Sequence, residues 1–321
     1  MRIDFATSLN EFGKRREPFF FAVNYAKDEY IVKALKSVGE DILYALDGIT
    51  NTENKTFTCK DFVFTKEPIS YPKYLEKFEY VIEQIKSGNT YLLNLTSSTK
   101  INTNLDLASA FYRGNAPFKL YIKDHFVCFS PERFVKIEQN TISTYPMKGT
   151  IDAQIPDASA LILSDEKEMA EHVMVVDLLR NDLCMVAKEV RVEAFRYIEK
   201  IQAGEKELLH VSSKIVGRVE EDWHVKVGDM LSSMLPAGSI SGTPKKRSLD
   251  IIAQAEGYDR GFFSGVFGIY DGKSLDSAVM IRFLEKGKEG YIFKSGGGIT
   301  LLSEPQKEYD EMCAKVYIPS F

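Results

Sequence analysis

The stretch 261-GFFSGVFGIYDGKSLDSAVMIRFLEKGKEGYIFKSGGGIT-300 decides the fold class. Its three runs GFFSGVFGIYDG, AVMIRF and YIFKSGGGIT are rich in β-branched and aromatic residues, and turn-forming residues separate them. Three such runs in succession predict neighbouring antiparallel strands. A block of strands of this kind differs from the strict alternation of strands and helices that a parallel sheet requires.

Helices and further strands are predicted on both sides of this block. Apolar residues at three- and four-residue spacing predict helices at 72–88, 106–113, 167–187, 225–235 and 247–257 and from about Pro305. Alternating or β-branched runs predict strands at 17–23, 41–45, 91–101, 118–130, 133–147 and 208–219. Because strands and helices come in blocks, the sequence favours an α+β architecture.

Composition limits the function classes. The 321 residues are 44% hydrophobic and carry a formal net charge of -5, so no electrostatic footprint for nucleic acid or an anionic membrane is expected. The four cysteines are scattered, without CxxC spacing, which indicates reduced thiols. The sequence shows no signal-peptide run and no apolar stretch of membrane-spanning length. We expect a cytoplasmic protein.

Two pairs of carboxylates stand three residues apart on predicted helices. Glu168 and Glu171 lie in KEMAEH, and Glu308 and Glu311 lie in KEYDEM. Residues i and i+3 share one helical face, so the two carboxylates of each pair point the same way. One pair is typical of a solvated helix surface, whereas two pairs facing each other would form an oxygen-only site suited to Mg²⁺. The spacing alone leaves both interpretations open.

Three other side chains are candidates for chemistry. Lys148 in YPMKGT lies between a methionine and a glycine, where burial would lower the pKa of its amine and make it nucleophilic; the alternative is an exposed lysine in a turn. Arg282 lies in the predicted strand AVMIRF and needs a buried anionic partner, either a structural carboxylate or a substrate. His210 in LLHVSS is typical of a hydrogen-bonded core histidine.

Two glycine-rich segments allow close approach of a ligand to the backbone. PAGSISGTPKKR (236–247) precedes a predicted helix, whose first N–H groups favour an anion; a surface loop with a helix cap is the alternative. It lacks the GxxxxGK[ST] spacing of a Walker loop. SGGGIT (295–300) lacks the GxGxxG pattern, so a dinucleotide site is not expected.

Nine segments, taken in order, resemble the chorismate-utilising enzymes. This family includes the large subunits of anthranilate and aminodeoxychorismate synthases and the isochorismate and salicylate synthases. The resemblance implies a single α+β domain, residues 1–321, of layered antiparallel β-sheets flanked by helices, with the active site in a central cleft. A short N-terminal section, 1–70, would precede the catalytic core at 74–317. The segments are IKSGNTYLLNLT, FSPERF, YPMKGT, KEMAEHVMVVDLLRNDL, LLHVSSKIVG, PAGSISGTPKKR, RGFFSGVFGIYDG, AVMIRF and SGGGITLLSEPQKEYDEMCAK.

The resemblance also implies a site. Mg²⁺ would lie between the two glutamate pairs, bound directly by Glu171 and Glu311 and through water by Glu168 and Glu308, and it would hold the C1 carboxylate of chorismate. The other residues that the resemblance places around the substrate are Arg282 and Lys315 for its carboxylates, the backbone of Gly297 and Gly298, and His210 and Ser239 in the cleft wall.

Position 148 separates the reaction types of the family. Members that make anthranilate, isochorismate or salicylate usually have alanine there, and PxKGT marks the aminodeoxychorismate branch. The resemblance therefore implies amination of chorismate at C4 through a covalent intermediate on Lys148. Glu132 of SPERF matches the general acid, whose pKa must be raised by burial. Leu92 stands where isochorismate and salicylate synthases carry a water-activating lysine, which argues against attack by water.

The sequence carries no glutaminase signature, neither GxCxGxQ nor a downstream His-x-Glu. We therefore expect ammonia from a separate glutamine amidotransferase subunit and a product that serves p-aminobenzoate and folate biosynthesis. Two alternatives remain: anthranilate synthase component I, and a catalytically silent chorismate-binding subunit. The complete set of candidate residues argues against the silent subunit.

Overall fold

The computed structural model describes residues 4–53, 62–203 and 206–319. Within these ranges the helices are α1 Phe5–Lys14, α2 Tyr71–Lys86, α3 Leu107–Arg113, α4 Ala158–Ser164, α5 Glu166–Cys184, α6 Val227–Met234, α7 Lys245–Glu256 and α8 Pro305–Ala314. The strands are β1 Phe19–Val23, β2 Tyr30–Ala34, β3 Ile42–Leu46, β4 Ile49–Thr50, β5 Phe64–Glu67, β6 Leu92–Thr103, β7 Phe118–Ile122, β8 Phe126–Ser130, β9 Arg133–Glu138, β10 Thr141–Thr144, β11 Met147–Asp152, β12 Lys188–Ala203, β13 Lys206–Arg218, β14 Gly242–Thr243, β15 Val266–Tyr270, β16 Leu275–Val279, β17 Phe283–Gly287 and β18 Gly290–Ile299.

These strands form two antiparallel sheets, which confirms the predicted α+β class. The first sheet has the order β11-β13-β10-β9-β16-β15-β1-β2, with β12 beside β13. The second has the order β14-β6-β18-β17-β8-β7-β3-β4, with β5 beside β6. The C-terminal block is four strands rather than three, and it divides between the sheets. AVMIRF is not one strand, because it spans the end of β16, a turn at Arg282 and the start of β17.

Two of the links by which the chain passes between the sheets lie next to each other. Glu132 lies on the link from β8 to β9, and Arg282 lies on the link from β16 to β17. The N–H of Val279 donates to the carbonyl of Glu132 at 3.1 Å, and the N–H of Phe129 donates to the carbonyl of Arg282 at 3.2 Å. The two links therefore hold each other by backbone hydrogen bonds. We call them the paired crossovers, residues 131–132 and 280–282.

The sheets pack face to face through aromatic side chains. Phe20 of β1 in the first sheet stacks on Tyr44 of β3 in the second, with ring centroids 5.7 Å apart. Phe126 and Phe283 stack in the second sheet at 4.5 Å. Burying a phenylalanine side chain contributes about 1.5–3 kcal/mol. All five residues of β1 are buried, which explains its continuous apolar sequence FFFAV.

The helices surround the two sheets. None of them, within the described ranges, combines the length and apolar character needed to cross a membrane. Helix α5 begins after Asp165, whose carboxylate accepts the N–H of Glu168 at 2.9 Å, a regular N-cap. Cys128, Cys184 and Cys313 are unpaired thiols, and Cys59 lies outside the described residues.

Candidate active site

A small cavity of about 170 Å³ lies between the two sheets, next to the paired crossovers. We call it the central cavity. It draws residues from β11 and α5 on one side and from β18 on the other. Eight of the side chains or backbone positions that the sequence singled out line it together: Glu132, Lys148, Glu171, Ser239, Arg282, Gly297, Gly298 and Lys315.

Lys148 on β11 meets Glu171 on α5 in the wall of this cavity. The Lys148 ammonium Nζ lies 2.6 Å from Oε2 of Glu171, whose side chain is 6% exposed. Burial alone lowers the pKa of Lys148, but the neighbouring carboxylates of Glu171, Glu168 and Glu311 outweigh it and raise that pKa. The expectation of a lowered pKa is therefore wrong for this arrangement. Lys148 stands in the site as an ion-paired ammonium.

At Glu132 burial has a larger effect on the pKa than the neighbouring charges do, the reverse of the balance at Lys148. Burial raises the pKa of Glu132, and the Ser239 hydroxyl and the positive groups of Arg282 and Lys315 only partly oppose that rise. The Ser239 Oγ donates to Oε1 of Glu132. A carboxyl with a raised pKa holds its proton longer, which is what a general acid requires. The direction agrees with the role expected for Glu132.

Lys315 and Gly297 form the opposite wall. The Lys315 Nζ donates to the carbonyl of Gly296 at 3.0 Å and lies 2.6 Å from Oε1 of Glu311. A Cβ placed on Gly297 would lie 3.6 Å from both the Lys315 Nζ and Oε2 of Glu308. The absence of a side chain at Gly297 keeps the space between these two charged groups open for a ligand.

Arg282 lies outside any strand, which corrects the expectation from AVMIRF. Its φ is 52°, in the left-handed region, on the second of the paired crossovers. Its buried Nε has no hydrogen-bond partner, and within the described part of the chain no carboxylate lies within 4 Å of its guanidinium. The ring of Tyr317 lies 5.7 Å from its Cζ. A structural ion pair is thus not observed there, and the guanidinium remains available to an anionic ligand.

His210 lies one cavity away from the other predicted residues. It lines an adjoining cavity of about 500 Å³ that shares Met147 and Arg282 with the central cavity. Its Nδ1 is 3.3 Å from Oγ1 of Thr150, and burial lowers its pKa. His210 is therefore a neutral hydrogen-bonding group beside the cleft. Leu92 lines the central cavity itself and supplies no base there.

Residues 236–242 of the segment 236–247 are buried or half-buried, so this part is not the surface loop that was one alternative, whereas Lys246 and Arg247 are exposed. Ala237, Ile240 and Ser241 are at most 3% exposed. The Nζ of Lys245 lies 2.7 Å from the Asp182 carboxylate of α5, so this lysine has a partner within the protein and is not a free site for an anion. Neither Asp182 nor Lys245 had been singled out for such a pair, because their 63-residue separation gives no local signal.

Four glutamates of α5 and α8 lie within electrostatic reach of Lys148, but of these only Glu171 lines the central cavity. No three His, Cys, Asp or Glu side chains of the described residues lie close enough together to hold a metal ion as they stand. The donor chemistry nevertheless suits an oxygen-seeking cation such as Mg²⁺. Oε2 of Glu168 is buried without a hydrogen-bond partner, and Glu171 and Glu311 each hold a lysine ammonium in the place of a cation. The four side chains fit Mg²⁺ by chemistry.

The chain is similar to a known enzyme family and to several of its members. The family model described as chorismate binding enzyme matches residues 17–319. An uncharacterized PabA-like protein of Haemophilus influenzae is 46% identical over 98% of this chain and 96% of its own length. Aminodeoxychorismate synthase component 1 of Salmonella typhimurium is 34% identical over 76% of this chain, and the match spans 56% of that protein.

The fold has solved counterparts. The crystal structure of anthranilate synthase component I from Streptococcus pneumoniae superposes with a TM-score of 0.66 at 25% identity, over 79% of this chain and 58% of the other. Proteins named for two different products are thus similar to this chain. The family alone does not separate the two reactions, so the side chains in the cavity must do so.

Proposed function

Because the chain belongs to the chorismate-binding enzyme family, we propose that it is the synthase subunit that aminates chorismate at C4 to 4-amino-4-deoxychorismate. The observation that carries this proposal is the Lys148 amine in the wall of the central cavity, which Glu132 also lines. A nucleophile and a protonated acid facing one small volume fit a substitution with a covalent intermediate.

The proposed reaction has two substitutions. The Lys148 ammonium first gives a proton to water, and the resulting amine forms a bond to C2 of chorismate. The ring double bonds then shift, and the C4–O bond breaks. Glu132 gives its proton to the departing hydroxyl, which leaves as water. Ammonia then bonds to C4, the double bonds shift back, and the C2–N bond breaks so that Lys148 leaves as a neutral amine. The enolpyruvyl group stays on the ring throughout.

Substrate binding would use the positive groups of the site. Arg282 has no carboxylate partner among the described residues, and Lys315 lies beside Gly297, so these two cations would take the carboxylates of chorismate. Glu171 and Glu311 would hold Mg²⁺ directly, with Glu168 and Glu308 at its water shell. When bound there, Mg²⁺ supplies positive charge that holds the C1 carboxylate and competes with the Lys148 ammonium for Glu171.

Ammonia is proposed to come from a separate glutamine amidotransferase subunit. The product would then require a separate lyase to become p-aminobenzoate. Anthranilate synthase component I is the competing function, and it would eliminate the enolpyruvyl group that the proposed reaction retains.

Product analysis tests the proposal. The purified protein is incubated with chorismate, MgCl₂ and ammonium chloride, and the mixture is followed by fluorescence and mass spectrometry with and without added aminodeoxychorismate lyase. We expect a product that still carries the enolpyruvyl group and that yields p-aminobenzoate only with the lyase. Fluorescent anthranilate formed without the lyase would establish the competing function. Consumption of no chorismate under any condition would favour the silent subunit.

A further inference from the structure

An ion pair between a buried carboxylate and a half-buried ammonium joins two helix ends behind the central cavity. Asp182 lies in the last turn of α5, and Lys245 is the first residue of α7. The Lys245 Nζ lies 2.7 Å from Oδ1 of Asp182 and donates to the carbonyl of Met234, also at 2.7 Å. The side chain of Lys245 is 24% exposed and that of Asp182 is 6% exposed.

The location of this pair is unfavourable for Asp182 taken alone, because a helix C-terminus disfavours a carboxylate. Burial raises the pKa of Asp182, and the Lys245 ammonium and the Gly238 N–H only partly oppose it. The Lys245 ammonium is better placed, because it meets the carbonyl of Met234 at the C-terminus of α6, where a cation is favoured. Ion pairs with a buried partner are weak evidence for stability, so another role should explain why the Asp182 carboxylate is buried here.

The pair fixes the backbone that leads to Glu132. Oδ2 of Asp182 accepts the N–H of Gly238 at 2.8 Å. A Cβ on Gly238 would lie 2.8 Å from Cγ of Leu178 and 2.9 Å from the same Oδ2, so the Gly238 backbone is seated directly against α5. The next residue, Ser239, donates its hydroxyl to Oε1 of Glu132. A continuous chain of contacts thus runs from Lys245 to Glu132.

We propose that the Asp182–Lys245 pair is a positioning device for the general acid, acting through Gly238 and Ser239. The Ser239 hydroxyl occupies Oε1 of Glu132 as a hydrogen-bond donor, so the proton of the carboxyl is carried by Oε2. Lys245 keeps the Asp182 carboxylate oriented toward the Gly238 N–H. Because the Gly238 backbone packs closely against α5, fixing it also fixes the position of the next residue, Ser239. This inference rests on the proposed role of Glu132 as the acid.

Kinetics of Asp182→Asn tests the device. Asparagine offers one oxygen to two donors, so either the Lys245 or the Gly238 contact is lost. We expect kcat with chorismate, Mg²⁺ and ammonium to fall roughly tenfold or more, a part of the 10²–10⁴ that a positioned acid contributes, with KM changed less than about twofold. In a Glu132→Gln background the same substitution should change kcat less than about twofold. Equal losses in both backgrounds would mean a merely structural role and overturn the proposal.

A spectroscopic readout keeps the test independent of the product formed. The C–O stretching band of Glu132, assigned by its loss in Glu132→Gln, reports on the hydrogen bond from Ser239. Ser239→Ala should shift that band, and Asp182→Asn and Gly238→Ala should shift it in the same direction. Asp177→Asn is the matched control, because it removes an exposed α5 ion pair with Arg180 of the same 2.7 Å length.

Two outcomes separate the claims. An unchanged Glu132 band in folded Asp182→Asn and Gly238→Ala proteins would overturn the positioning role even if amination occurs. A shifted band in a protein that forms no aminodeoxychorismate would refute the proposed function while leaving the Asp182–Glu132 connection in place. Melting temperatures close to that of the unsubstituted protein show that the variants are folded, and Lys245→Met provides a second break in the pair.

Discussion

At the scale of single residues, the site combines two groups whose protonation is set by opposite surroundings. Lys148 is kept charged by Glu171 at 2.6 Å, and burial favours the protonated form of Glu132. The proposed chemistry needs Lys148 to lose its proton and its carboxylate partner before attack. In the proposed reaction Glu132 would enter with its proton favoured by burial, whereas Lys148 would first have to lose a proton and leave Glu171.

Lys148→Ala removes the proposed nucleophile. We expect kcat for amination to fall by ~10³ or more, the scale on which loss of a nucleophile acts, while the Kd of chorismate measured by titration calorimetry changes less than about threefold. Lys167→Ala is the control, because Lys167 lies 3.9 Å from the same Glu171 carboxylate but does not line the central cavity. Turnover of Lys148→Ala at the unsubstituted rate would exclude the covalent route.

Glu132 should also leave a signature in stability. Its pKa is higher in the folded protein than the ordinary value of 4.5, so its ionised form destabilises the fold above the folded pKa, and this cost disappears as the pH falls toward 4.5. We expect Glu132→Gln to raise Tm by roughly 1–3 °C near pH 8, the scale of about 1 kcal/mol in a chain of this size. The gain should shrink near pH 5.

Calorimetry at the two pH values checks this expectation. Glu79→Gln, at an exposed position of α2, is the control and should show no such pH dependence. A gain for Glu132→Gln that stays constant between the two pH values would contradict the raised pKa.

Gly297→Ala tests the space between Lys315 and Glu308. A methyl group there makes only ordinary contacts at 3.6 Å, so Tm should change by less than about 2 °C. The same methyl group occupies the path of a bound carboxylate, so KM for chorismate should rise roughly tenfold or more, since a displaced charge-assisted contact is lost. Gly39→Ala, with nothing within 4 Å, is the surface control. An unchanged KM would remove Gly297 from the substrate site.

At the scale of elements, local pattern predicted six of the eight helices in the described ranges and missed α1 and α4. Helix α2 follows from its apolar period, and the observed Tyr71–Lys86 agrees with the expected 72–88. Helix α1 buries only Phe5, Leu9 and Gly13. Phe5, Leu9 and Phe12 do follow the helical spacing i, i+4, i+7, so the pattern is present but short. A Cβ on Gly13 would lie 1.9 Å from the carbonyl of His224, so the end of this helix approaches that backbone closely.

Strand β12 was missed for another physical reason. Its pairing with β13 shifts register three times between Lys188 and Tyr197. Each such irregularity breaks the two-residue alternation by which a strand is detected. Sequence therefore predicted the regular β13 at 208–219 but not its partner.

Helix α8 brings Glu308 and Glu311 to the site, and Glu311→Gln tests its proposed role in holding Mg²⁺. Replacing a ligand carboxylate by an amide should raise the half-saturating Mg²⁺ concentration roughly tenfold or more. Asp310→Asn is the control on the same helix, because Asp310 is exposed and bonds Gln306 instead. Activity of the unsubstituted enzyme after complete removal of divalent ions by chelation would contradict a metal role altogether.

At the scale of the whole molecule, the resemblance of ordered motifs supplied what periodicity could not. Strand β9 pairs with β16, so that Ile137 lies opposite Leu275. No local sequence pattern predicts a contact between residues so far apart in the chain. The same holds for Lys148 and Glu171, which meet because β11 and α5 pack together. The candidate residues were found because their motifs occur in a known order, and the connections behind them, such as Asp182 to Gly238, were not.

The whole chain should use ammonia but not glutamine. With ammonium chloride as nitrogen source we expect product, and with glutamine alone we expect product only after a glutamine amidotransferase subunit is added. Liquid chromatography of the reaction mixtures, with the amidotransferase alone as control, makes the measurement. Glutamine-dependent turnover by the purified chain would contradict the need for a separate subunit.

The paired crossovers have a mechanical consequence. Glu132 and Arg282 belong to links that are shared by both β-layers and are bonded to each other's strands. A slide or rotation of one sheet over the other would therefore displace the proposed proton donor and the proposed anion-binding guanidinium together, because main-chain hydrogen bonds join the two links. Substitutions in the core of either sheet are therefore expected to alter turnover without contacting the central cavity, because a shift of that sheet would move both paired crossovers.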